Sequence, residues 1–437
     1  MKKFLAAALV ASMALSLGAC STEPNQPSSS GSNNGGDAAK TTITWWAFPT
    51  FGAGEQAGVY EKEVIAAFEE ANPDIKVELT TIDFTSGPEA ITAAIEGGTA
   101  PDVLFDAPGR IIEYGNAGKL VDLSDMFTEE FIADVNNEAL INSCKGHDGT
   151  YMYPLSSAPF YMGLNKSMLE EADALQYVNL EGDRTWTTDN FVKMCEALKA
   201  SGVCQVPGIV YCGGQGGDQG TRALVSNLYG GTIANDEMTE YTFNSAESVK
   251  GLELLQDMVS KGLLDSGNSM VAADELQKYQ QETCAMTFCW GTSNAQNYAL
   301  SDGESISVPF PSDDGVPALE YLVNGFCVFD NGDQAKADAA KKFIQFVCDD
   351  ETWGPKSVVR SGAFPVRTSF GDLYPDNEEM TLLASWTQYY APYYNTMDGF
   401  ASMRKEWYNM LQKVLAGEDA QAMADAAVAA SNAAMQG

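Results

Sequence analysis

The chain contains little histidine, little basic charge and no C-x-x-C motif. His147 is the only histidine among 437 residues, so the sequence offers no H-E-x-x-H motif, no paired imidazole ligands and at most one histidine-based catalytic triad. The lack of a C-x-x-C motif disfavours a zinc ribbon and a thioredoxin-type redox site. These absences weigh against hydrolases and transition-metal transport proteins, and we expect neither a bound metal nor a cofactor.

Basic residues are far outnumbered by acidic ones. The chain has 25 Lys and Arg against 60 Asp and Glu, which gives a formal net charge of −35 at pH 7. Such a chain repels nucleic acids and anionic lipid surfaces, so we expect no nucleic-acid partner. The acidity favours solubility and says little about any ligand.

The longest apolar run lies at the N-terminus and is too short to span a membrane. Phe4–Leu17 is apolar or small over 14 residues, whereas a spanning helix needs about 20. Two lysines precede this run, and residues 15–20 (LSLGAC) end it with small residues and a cysteine. The pattern predicts a bacterial lipoprotein signal peptide over residues 1–19, with lipid on Cys20 of the mature chain. The alternative is a buried N-terminal helix that ends in Ala-Cys.

Residues 20–41 form a predicted tether. After Cys20 the segment consists almost wholly of Ser, Gly, Asn, Pro and Thr, which cannot bury a core. A flexible chain of this composition holds the following domain roughly tens of ångströms from the bilayer. We therefore expect an extracytoplasmic protein that is lipid-anchored to the cell membrane, of the Gram-positive type, without a transmembrane helix.

Eight cysteines remain besides Cys20: Cys144, Cys195, Cys204, Cys212, Cys284, Cys289, Cys327 and Cys348. An even number outside the membrane permits disulfides. Several lie in apolar runs such as Met286–Trp290, where a free thiol behaves as a small apolar side chain. We favour free thiols, and Cys195 with Cys204 is the pair to test first for a disulfide.

About 395 residues follow the tether, more than one hydrophobic core usually holds, so two lobes are expected. Strand-like and helix-like segments alternate from residue 42, and the first five predict an α/β fold with a mainly parallel sheet covered by helices. These five are Thr42–Trp46, Tyr60–Ala71, Ile75–Leu79, a helix opened by Pro88, and Pro101–Asp106. Further strands are predicted at Pro159–Leu164, Gly208–Cys212 and Ala285–Trp290. Further helices are predicted at Thr188–Ala200, Ala246–Gly262, Ala335–Cys348, Trp407–Ala416 and Ala420–Met435.

Several short motifs occur in a fixed order along the chain. They are the strand end Trp45-Trp46, FEEANPDIKV at 68–77, GTAPDV at 98–103, YPL at 153–155, LNK at 164–166, AM at 285–286 before Trp290-Gly291, GAFPVR at 362–367 and LAGE at 415–418. With this order and spacing, from about residue 42 to the end, the chain resembles the extracellular solute-binding proteins (family 1) of ABC transporters. The resemblance is to the carbohydrate-binding group related to maltose-binding protein, in its lipoprotein form.

The resemblance implies a type II periplasmic-binding-protein-like fold, in which two α/β lobes enclose a ligand cleft. We expect the N-terminal lobe to comprise residues 42–159 plus 308–355, and the C-terminal lobe residues 160–307 plus 356–437. The chain is expected to cross between the lobes near Pro159–Met162, Ser305–Phe310 and Trp353–Val359.

Four candidate ligand-binding residues follow the first three strands. A sugar has apolar C–H faces and many hydroxyls, which aromatic rings, carboxylates, amides and the forked Arg side chain bind. Ligands of parallel α/β sheets meet the carboxyl ends of strands, where Trp46, Phe48, Asp83 and Asp106 lie. The alternative for Trp46 is that Trp45 faces the cleft, and for the two aspartates it is a local role such as helix capping.

Five further candidates are Tyr161, Trp290, Asn324, Phe364 and Arg367. Trp290 precedes a polar loop, which favours a stacking platform, and the alternative is core packing. Asn324 lies in a strand-like stretch next to a glycine that permits close approach of a ligand. Phe364 and Arg367 flank a turn, and the alternative for Arg367 is an inter-lobe salt bridge. Tyr161 lies on a predicted crossing and could point either way.

These observations predict a monomeric binding protein, not an enzyme, that captures a sugar or oligosaccharide by lobe closure and delivers it to the permease subunits of an ABC transporter. Three alternatives stay open. A polyamine or other small cation would suit Asp83, Asp106 and the aromatic side chains. A secreted glycosidase would need two carboxylates about 5–9 Å apart, and no such pair is marked in the sequence. The third is a surface receptor for a sensor kinase.

Overall fold

The computed structural model describes residues 40–52, 56–83, 86–301 and 303–436. The predicted signal peptide, the lipidation of Cys20 and residues 21–39 of the predicted tether lie outside these ranges. Within them, no helix combines the length and the apolar character that crossing a bilayer requires.

The strands form three sheets. They are β1 (Thr41–Ala47), β2 (Ile75–Thr81), β3 (Val103–Asp106), β4 (Tyr153–Pro159), β5 (Tyr161–Asn165), β6 (Ile209–Tyr211), β7 (Asp265–Gly267), β8 (Met286–Trp290), β9 (Ser305–Val308), β10 (Tyr321–Val328) and β11 (Phe364–Pro365). The first sheet has the order β11-β4-β10-β3-β1-β2, the second has the order β8-β5-β9, and β6 pairs with β7. We call the elements around the six-stranded sheet the first lobe and those around the other two sheets the second lobe.

The helices cover these sheets and confirm the predicted α/β alternation. In the first half they are α1 (Val59–Ala71), α2 (Gly87–Glu96), α3 (Pro108–Asn116), α4 (Glu129–Asp134), α5 (Glu138–Asn142), α6 (Lys166–Glu171), α7 (Thr188–Ser201) and α8 (Gln219–Tyr229). In the second half they are α9 (Ala246–Ser260), α10 (Ala272–Gln280), α11 (Thr292–Asn297), α12 (Gln334–Asp349), α13 (Trp353–Ser361), α14 (Glu378–Ser385), α15 (Phe400–Leu415) and α16 (Ala420–Ala434). Proline in the first turn of α2 and of α3 fixes a helical backbone angle where no hydrogen bond is lost. The helix predicted from Trp407 instead begins at Phe400, because the positive φ of Gly399 precedes it.

The expectation of a mainly parallel sheet is wrong beyond the first three strands. β1 pairs in parallel with β2 and with β3, as predicted. β10 runs antiparallel to β3 and to β4, and β11 runs antiparallel to β4. The reason is topological, since β10 enters the first sheet from the second lobe and therefore runs in the opposite direction to β3.

Alternation along β1 sends its two tryptophans to opposite faces of the first sheet. Trp45 is fully buried and packs against Phe343 of α12, with ring centroids 5.4 Å apart. Trp46 pairs in register with Leu104 of β3, lies half-buried and packs against the core on the other face of the sheet. Of the two, Trp46 is therefore the one with exposed surface.

The chain passes between the lobes at three places. Only Phe160 separates β4 of the first sheet from β5 of the second. The second passage joins the end of β9 to the start of β10 at Tyr321. For the third, the predicted segment Trp353–Val359 lies in α13, and β11 still pairs with β4, so the chain leaves the first sheet only after Pro365. The predicted lobe boundaries stay predictions, and β11 argues for moving the last one toward the C-terminus.

The cysteines in the described ranges are all free thiols, as favoured from the sequence. Cys195 and Cys204, the first pair proposed for testing, are not bonded to each other. Seven of the eight are buried and Cys204 is half-buried. They therefore act as small apolar side chains in the core.

Candidate functional site

The carboxyl ends of β1, β2 and β3 meet at one edge of the first sheet, as the sequence predicted. The Ile82 N–H donates to the last carbonyl of β1 at 2.9 Å, which places Asp83 close to Phe48. Gly87 allows close packing there, because a Cβ at this position would lie 2.7 Å from Cε1 of Phe48. Asp106 ends β3 at the same edge. The structure thus brings three of the predicted ligand-binding residues together.

Asp83 already has a local role at this edge. Its carboxylate accepts hydrogen bonds from the Ser86 N–H at 2.8 Å and the Ser86 hydroxyl at 2.7 Å, immediately before α2. These bonds close a turn onto Ser86, the N-cap residue of α2, so Asp83 has a local role next to the helix start without being its N-cap. The Phe48 side chain is only 1% exposed, and its ring faces the Arg110 guanidinium at 5.4 Å. A ligand role for both residues stays a prediction.

Asp106 and Arg110 form a two-point ion pair across the first turn of α3. Arg110 Nε donates to Oδ2 at 2.6 Å and Nη2 donates to Oδ1 at 2.5 Å. Burial lowers the pKa of Arg110, and the hydrogen bond and charge of Asp106 outweigh it, so the net shift is upward. The Asp106 side chain is 4% exposed and that of Arg110 is 38% exposed. Asp106 therefore orients a guanidinium whose remaining N–H groups can meet an incoming acceptor.

A cavity of about 310 Å³ lies where α3 of the first lobe faces residues 395–401, which lead into α15 of the second lobe. Its polar and aromatic lining residues are Glu113, Asn116, Asn395, Thr396, Asp398 and Phe400. Gly109, next to Arg110, lines the same cavity on the α3 side. The cavity thus combines carboxylates, amides, a hydroxyl and one aromatic ring contributed from both lobes.

The Phe400 ring is held by two guanidinium groups. The Cζ atoms of Arg222 and Arg404 lie 5.7 Å and 5.5 Å from its centroid. Tyr394 meets the ring edge-to-face at 6.1 Å. Phe400 is half-buried, so it keeps exposed surface toward the cavity while these contacts fix its position.

A buried charge network lies beneath this ring. Arg222 is 2% exposed; its Nη1 lies 2.7 Å from Asp218, its Nη2 donates to Glu320 at 3.2 Å and its Nε donates to the Tyr394 hydroxyl at 2.6 Å. The Tyr394 hydroxyl in turn donates to Glu320. Burial raises the pKa of Glu320, and the charge of Arg222 opposes that shift without cancelling it. Because Glu320 immediately precedes β10, the network fixes the second passage between the lobes to α8.

Tyr161 and Trp290 are neighbours in the second sheet, where they pair across β5 and β8. Each is 1% exposed. Tyr161 packs edge-to-face against Trp386 at 5.3 Å, and Trp290 packs the same way against Tyr279 at 5.2 Å. Both also border a second cavity, of about 440 Å³, which Glu379 lines. Their packing favours the core alternative, and their ligand role stays a prediction.

Asn324 and Phe364 occupy different surroundings. Asn324 lies half-buried at a β-bulge in β10, one residue from the position that pairs with Asp106. Phe364 is 1% exposed in β11 and packs edge-to-face against Tyr374 at 5.8 Å. Asn324 therefore lies near the carboxyl edge of β3, whereas Phe364 belongs to the core.

Arg367 pairs with two carboxylates inside the first lobe. Its Nε donates to Asp134 of α4 at 2.8 Å, and its Nη1 donates to Asp349 of α12 at 2.5 Å. Burial lowers the pKa of Arg367, and these two partners outweigh it and raise the pKa. The Arg367 guanidinium already donates to Asp134 and Asp349, so the geometry does not favour a ligand role for Arg367. That role stays a prediction.

The family of bacterial extracellular solute-binding proteins matches residues 52–352, well over half of the sequence. The chain belongs to this family. The family description places such proteins outside the cytoplasm, in agreement with the location predicted from the N-terminal sequence.

Solved structures share the two-lobed periplasmic-binding-protein fold with this solute-binding protein. The cyclic alpha-maltosyl-1,6-maltose binding protein of Arthrobacter globiformis superposes with a TM-score of 0.74, is 18% identical and covers 91% of this chain and 100% of its own. The sugar-binding protein MalE of Xanthomonas citri has a TM-score of 0.72 at 16% identity, with coverages of 91% and 98%. The substrate-binding protein Lmo0181 of Listeria monocytogenes, in complex with cycloalternan, has a TM-score of 0.67 at 21% identity, with coverages of 91% and 99%.

A curated relative is a lipoprotein by name. The uncharacterized lipoprotein in the oleD 5′ region of Streptomyces antibioticus is 24% identical over 144 residues. The match spans 32% of this chain and 30% of that protein.

None of the residues predicted from the sequence to bind a ligand lines the inter-lobe cavity of this solute-binding protein. Arg110 follows Gly109 of the cavity lining without lining the cavity itself, and it had a usable signal, because it lies four residues after Asp106 at a predicted strand end. Asp398 and Phe400 had none, since the start of α15 was not predicted, and His147 and Arg222, which contact them, lie far away in the sequence. In the described part of the chain, no three His, Cys, Asp or Glu side chains are grouped so as to hold a metal ion.

Proposed function

We propose that this solute-binding protein captures a sugar or oligosaccharide outside the cytoplasmic membrane and delivers it to the permease of an ABC transporter. The observation that carries the proposal is the inter-lobe cavity of about 310 Å³ between α3 and residues 395–401. A ligand seated there contacts both lobes at once, so its binding energy favours the closed arrangement.

The lining of this cavity suits a carbohydrate. Glu113 and Asp398 supply carboxylates, and Asn116 and Asn395 supply amides that both donate and accept hydrogen bonds to hydroxyl groups. Phe400 supplies an aromatic face for the C–H surface of a sugar ring. Charged and amide partners with one aromatic platform support affinities around micromolar, equivalent to about 8 kcal/mol.

The names of structural neighbours support the sugar class. One is named for binding a cyclic maltosyl-maltose, another is described as sugar-binding, and a third was solved with cycloalternan. Cys20 with its predicted lipid and the tether at 20–41 would keep the two-lobed domain close to its permease. The monomeric state and the Gram-positive type of anchor are part of the same proposal.

A small cation such as a polyamine is the second candidate. Glu113, Asp398 and the net charge of −35 favour a cation at this cavity. Arg222 and Arg404 oppose it, because their guanidinium groups lie within 6 Å of the Phe400 ring on which an ammonium group would have to stack. We therefore place the sugar first.

A ligand screen tests the proposal. Purified protein is heated with maltose, maltotriose, cyclic and linear oligosaccharides, and spermidine, and hits are titrated by calorimetry. A sugar should raise the unfolding temperature, and Phe400→Ala should weaken its binding about tenfold or more. Phe370→Ala is the matched control, since Phe370 is also half-buried beside an arginine but lines a different cavity, with Asp134 and Asp349. Stabilisation by spermidine alone would overturn the sugar assignment, and turnover of an oligosaccharide would establish a glycosidase instead.

A further inference from the structure

The only histidine of the chain lies at the contact between the two lobes. His147 Nε2 lies 3.2 Å from Oδ2 of Asp398. His147 belongs to the turn that precedes β4 in the first lobe, and Asp398 precedes α15 in the second. Among the salt bridges of the described residues, this is the pair at the rim of the inter-lobe cavity, which Asp398 also lines.

Each partner is fixed to its own lobe. The backbone N–H of His147 donates to Asn116 Oδ1 of α3 at 2.9 Å, and the turn is closed by a β-bridge between Lys145 and Thr150. On the other side, the carbonyl of Asp398 accepts a hydrogen bond from the Tyr241 hydroxyl at 3.1 Å. When the lobes separate, the imidazole and the carboxylate must therefore move apart with them.

We propose that protonation of His147 in mildly acidic surroundings strengthens its pair with Asp398 and shifts the lobes toward the closed arrangement. This inference rests on the proposed capture of ligand by lobe closure. A neutral imidazole offers Asp398 a hydrogen bond at most, whereas an imidazolium adds a full opposite charge. Imidazole is the side chain that ordinarily changes charge between pH 5 and 8. The contact is therefore stronger when the imidazole is charged than when it is neutral.

Other charged groups lie around the pair. They are Lys145 and Asp148 on the turn of His147, Glu113 on α3, Asp122 beneath the turn, and Arg404 on α15, which pairs with Asp218. Within the described ranges, none of these groups forms a salt bridge with His147. Among the described residues, Glu275 in the second lobe is a carboxyl whose pKa burial raises to about 8.

The size of the effect follows from exposure. The side chains of His147 and Asp398 are 59% and 50% exposed, so solvent and salt screen the pair. Surface pairs of this kind change an equilibrium by about two- to five-fold. That is enough to adjust the fraction of closed protein between a neutral and an acidified environment, and too little to lock the lobes.

Lobe separation can be measured without any ligand. Dyes are attached through non-natural amino acids at Glu70 on α1 and Glu253 on α9, both exposed, and energy transfer is recorded between pH 5.5 and 8.0. The ratio of closed to open protein should rise about two- to five-fold on acidification at low salt, and the change should shrink in 1 M NaCl. His147→Gln and Asp398→Asn should each abolish it. Because no sugar is present, this result does not depend on the ligand class.

Two control variants separate the pair from its surroundings. Asp148→Asn removes the carboxylate next to His147 in the chain. Glu275→Gln removes the buried carboxyl whose pKa is raised to about 8. Both variants should show the same change of energy transfer with pH as the natural chain. The proposal is overturned if the natural chain shows no change in energy transfer with pH. It is equally overturned if the change persists in both His147→Gln and Asp398→Asn.

Discussion

The rings of Tyr321 and Tyr390 stack with centroids 4.0 Å apart and planes 10° from parallel. Tyr321 begins β10 at the second passage between the lobes, and Tyr390 lies beside it through a bridge to Leu319. The Tyr390 hydroxyl donates to Ser157 Oγ of β4 at 3.1 Å. The Tyr321 hydroxyl is buried, and no hydrogen bond to it occurs within the described ranges. The stack therefore packs the start of β10, at the second passage, against Tyr390, which is hydrogen-bonded to β4 three residues before the first passage.

Removing the two hydroxyls should have different effects on stability. Tyr390→Phe should lower the free energy of unfolding by about 1 kcal/mol, because it breaks a buried hydrogen bond and leaves Ser157 without it. Tyr321→Phe should leave the free energy unchanged or slightly higher, since it removes a buried polar atom that has no partner. Urea unfolding of both variants measures the difference, and equal losses would contradict this account of the stack.

Glu275 should make the fold less stable as the pH rises. It is fully buried, and burial raises its pKa to about 8, although Thr287 Oγ1 and the Phe288 N–H donate hydrogen bonds to it. Unfolding returns the carboxyl to an ordinary pKa near 4.5, so the folded state holds the proton more tightly between these values. Stability is therefore highest below about pH 4.5 with respect to this group and falls until about pH 8.

Glu275→Gln should remove that part of the pH dependence. The natural chain should lose on the order of 3–5 kcal/mol between these pH values, and the variant should lose distinctly less. Glu282→Gln, at the end of the same helical region but exposed, is the control. Identical pH profiles for the natural chain and Glu275→Gln would show that the carboxylate is already charged in the folded state.

Asp134 should have the opposite effect to Glu275, because its contribution to the free energy of unfolding increases as the pH rises. Burial raises its pKa, but hydrogen bonds from Ser369, Arg367 and Thr368 outweigh that and lower it to about 2. The stabilisation is present above the unfolded pKa of about 3.8 and is lost as the pH falls toward 2. Asp134→Asn should cost about 1–3 kcal/mol at pH 7 and little near pH 2. The measurement is urea unfolding at both pH values.

The same pair of residues tests the predicted ligand role of Arg367. Because its fork holds Asp134 and Asp349, Arg367→Lys should lower stability at pH 7 without changing the affinity for a sugar identified in the screen. A large loss of affinity with unchanged stability would instead support the ligand role predicted from the sequence.

Arg110 should contribute to ligand affinity. Arg110→Lys keeps the charge beside Asp106 but loses the two-point geometry, and it should weaken sugar binding about tenfold while changing the free energy of unfolding by less than about 1 kcal/mol. Arg184→Lys, which disturbs an ion pair with Glu379 at the second cavity and leaves the inter-lobe cavity intact, is the matched control. Unchanged affinity in Arg110→Lys would remove the Asp106–Arg110 pair from the proposed site.

The positions of helices and strands were predicted from the sequence more accurately than the pairing of the strands within the sheets. Helices such as α1 and α9 and strands such as β1 follow from residue periodicity, which is local. The gathering of Phe48, Asp83 and Asp106 followed from the rule that parallel strands end at one edge. The antiparallel entry of β10 could not be read from local pattern, because it depends on the chain returning from the second lobe.

Site residues were hardest to predict where both partners are distant in sequence. The alternation in β1 says that Trp45 and Trp46 face opposite ways, but which one is buried depends on α12, some 300 residues later. Arg367 pairs with Asp134 across 233 positions. Trp290 looked like a platform before a polar loop, yet Gly163 and Tyr279 enclose its ring. Tertiary packing decided each of these cases.

The passages from β4 to β5 and from β9 to β10 differ in length, and therefore in how well they tolerate an insertion. Phe160 is the single residue between β4 and β5, so any insertion there would break a strand pairing. The second passage carries an exposed turn, in which Asp314 accepts a hydrogen bond from the Val316 N–H, Gly315 has a positive φ and Val316 is 60% exposed. A fluorescent reporter domain inserted between Asp314 and Gly315 would interrupt no strand while sitting on a connection between the lobes. The fold thus offers its own insertion point for a genetically encoded sensor of the ligand.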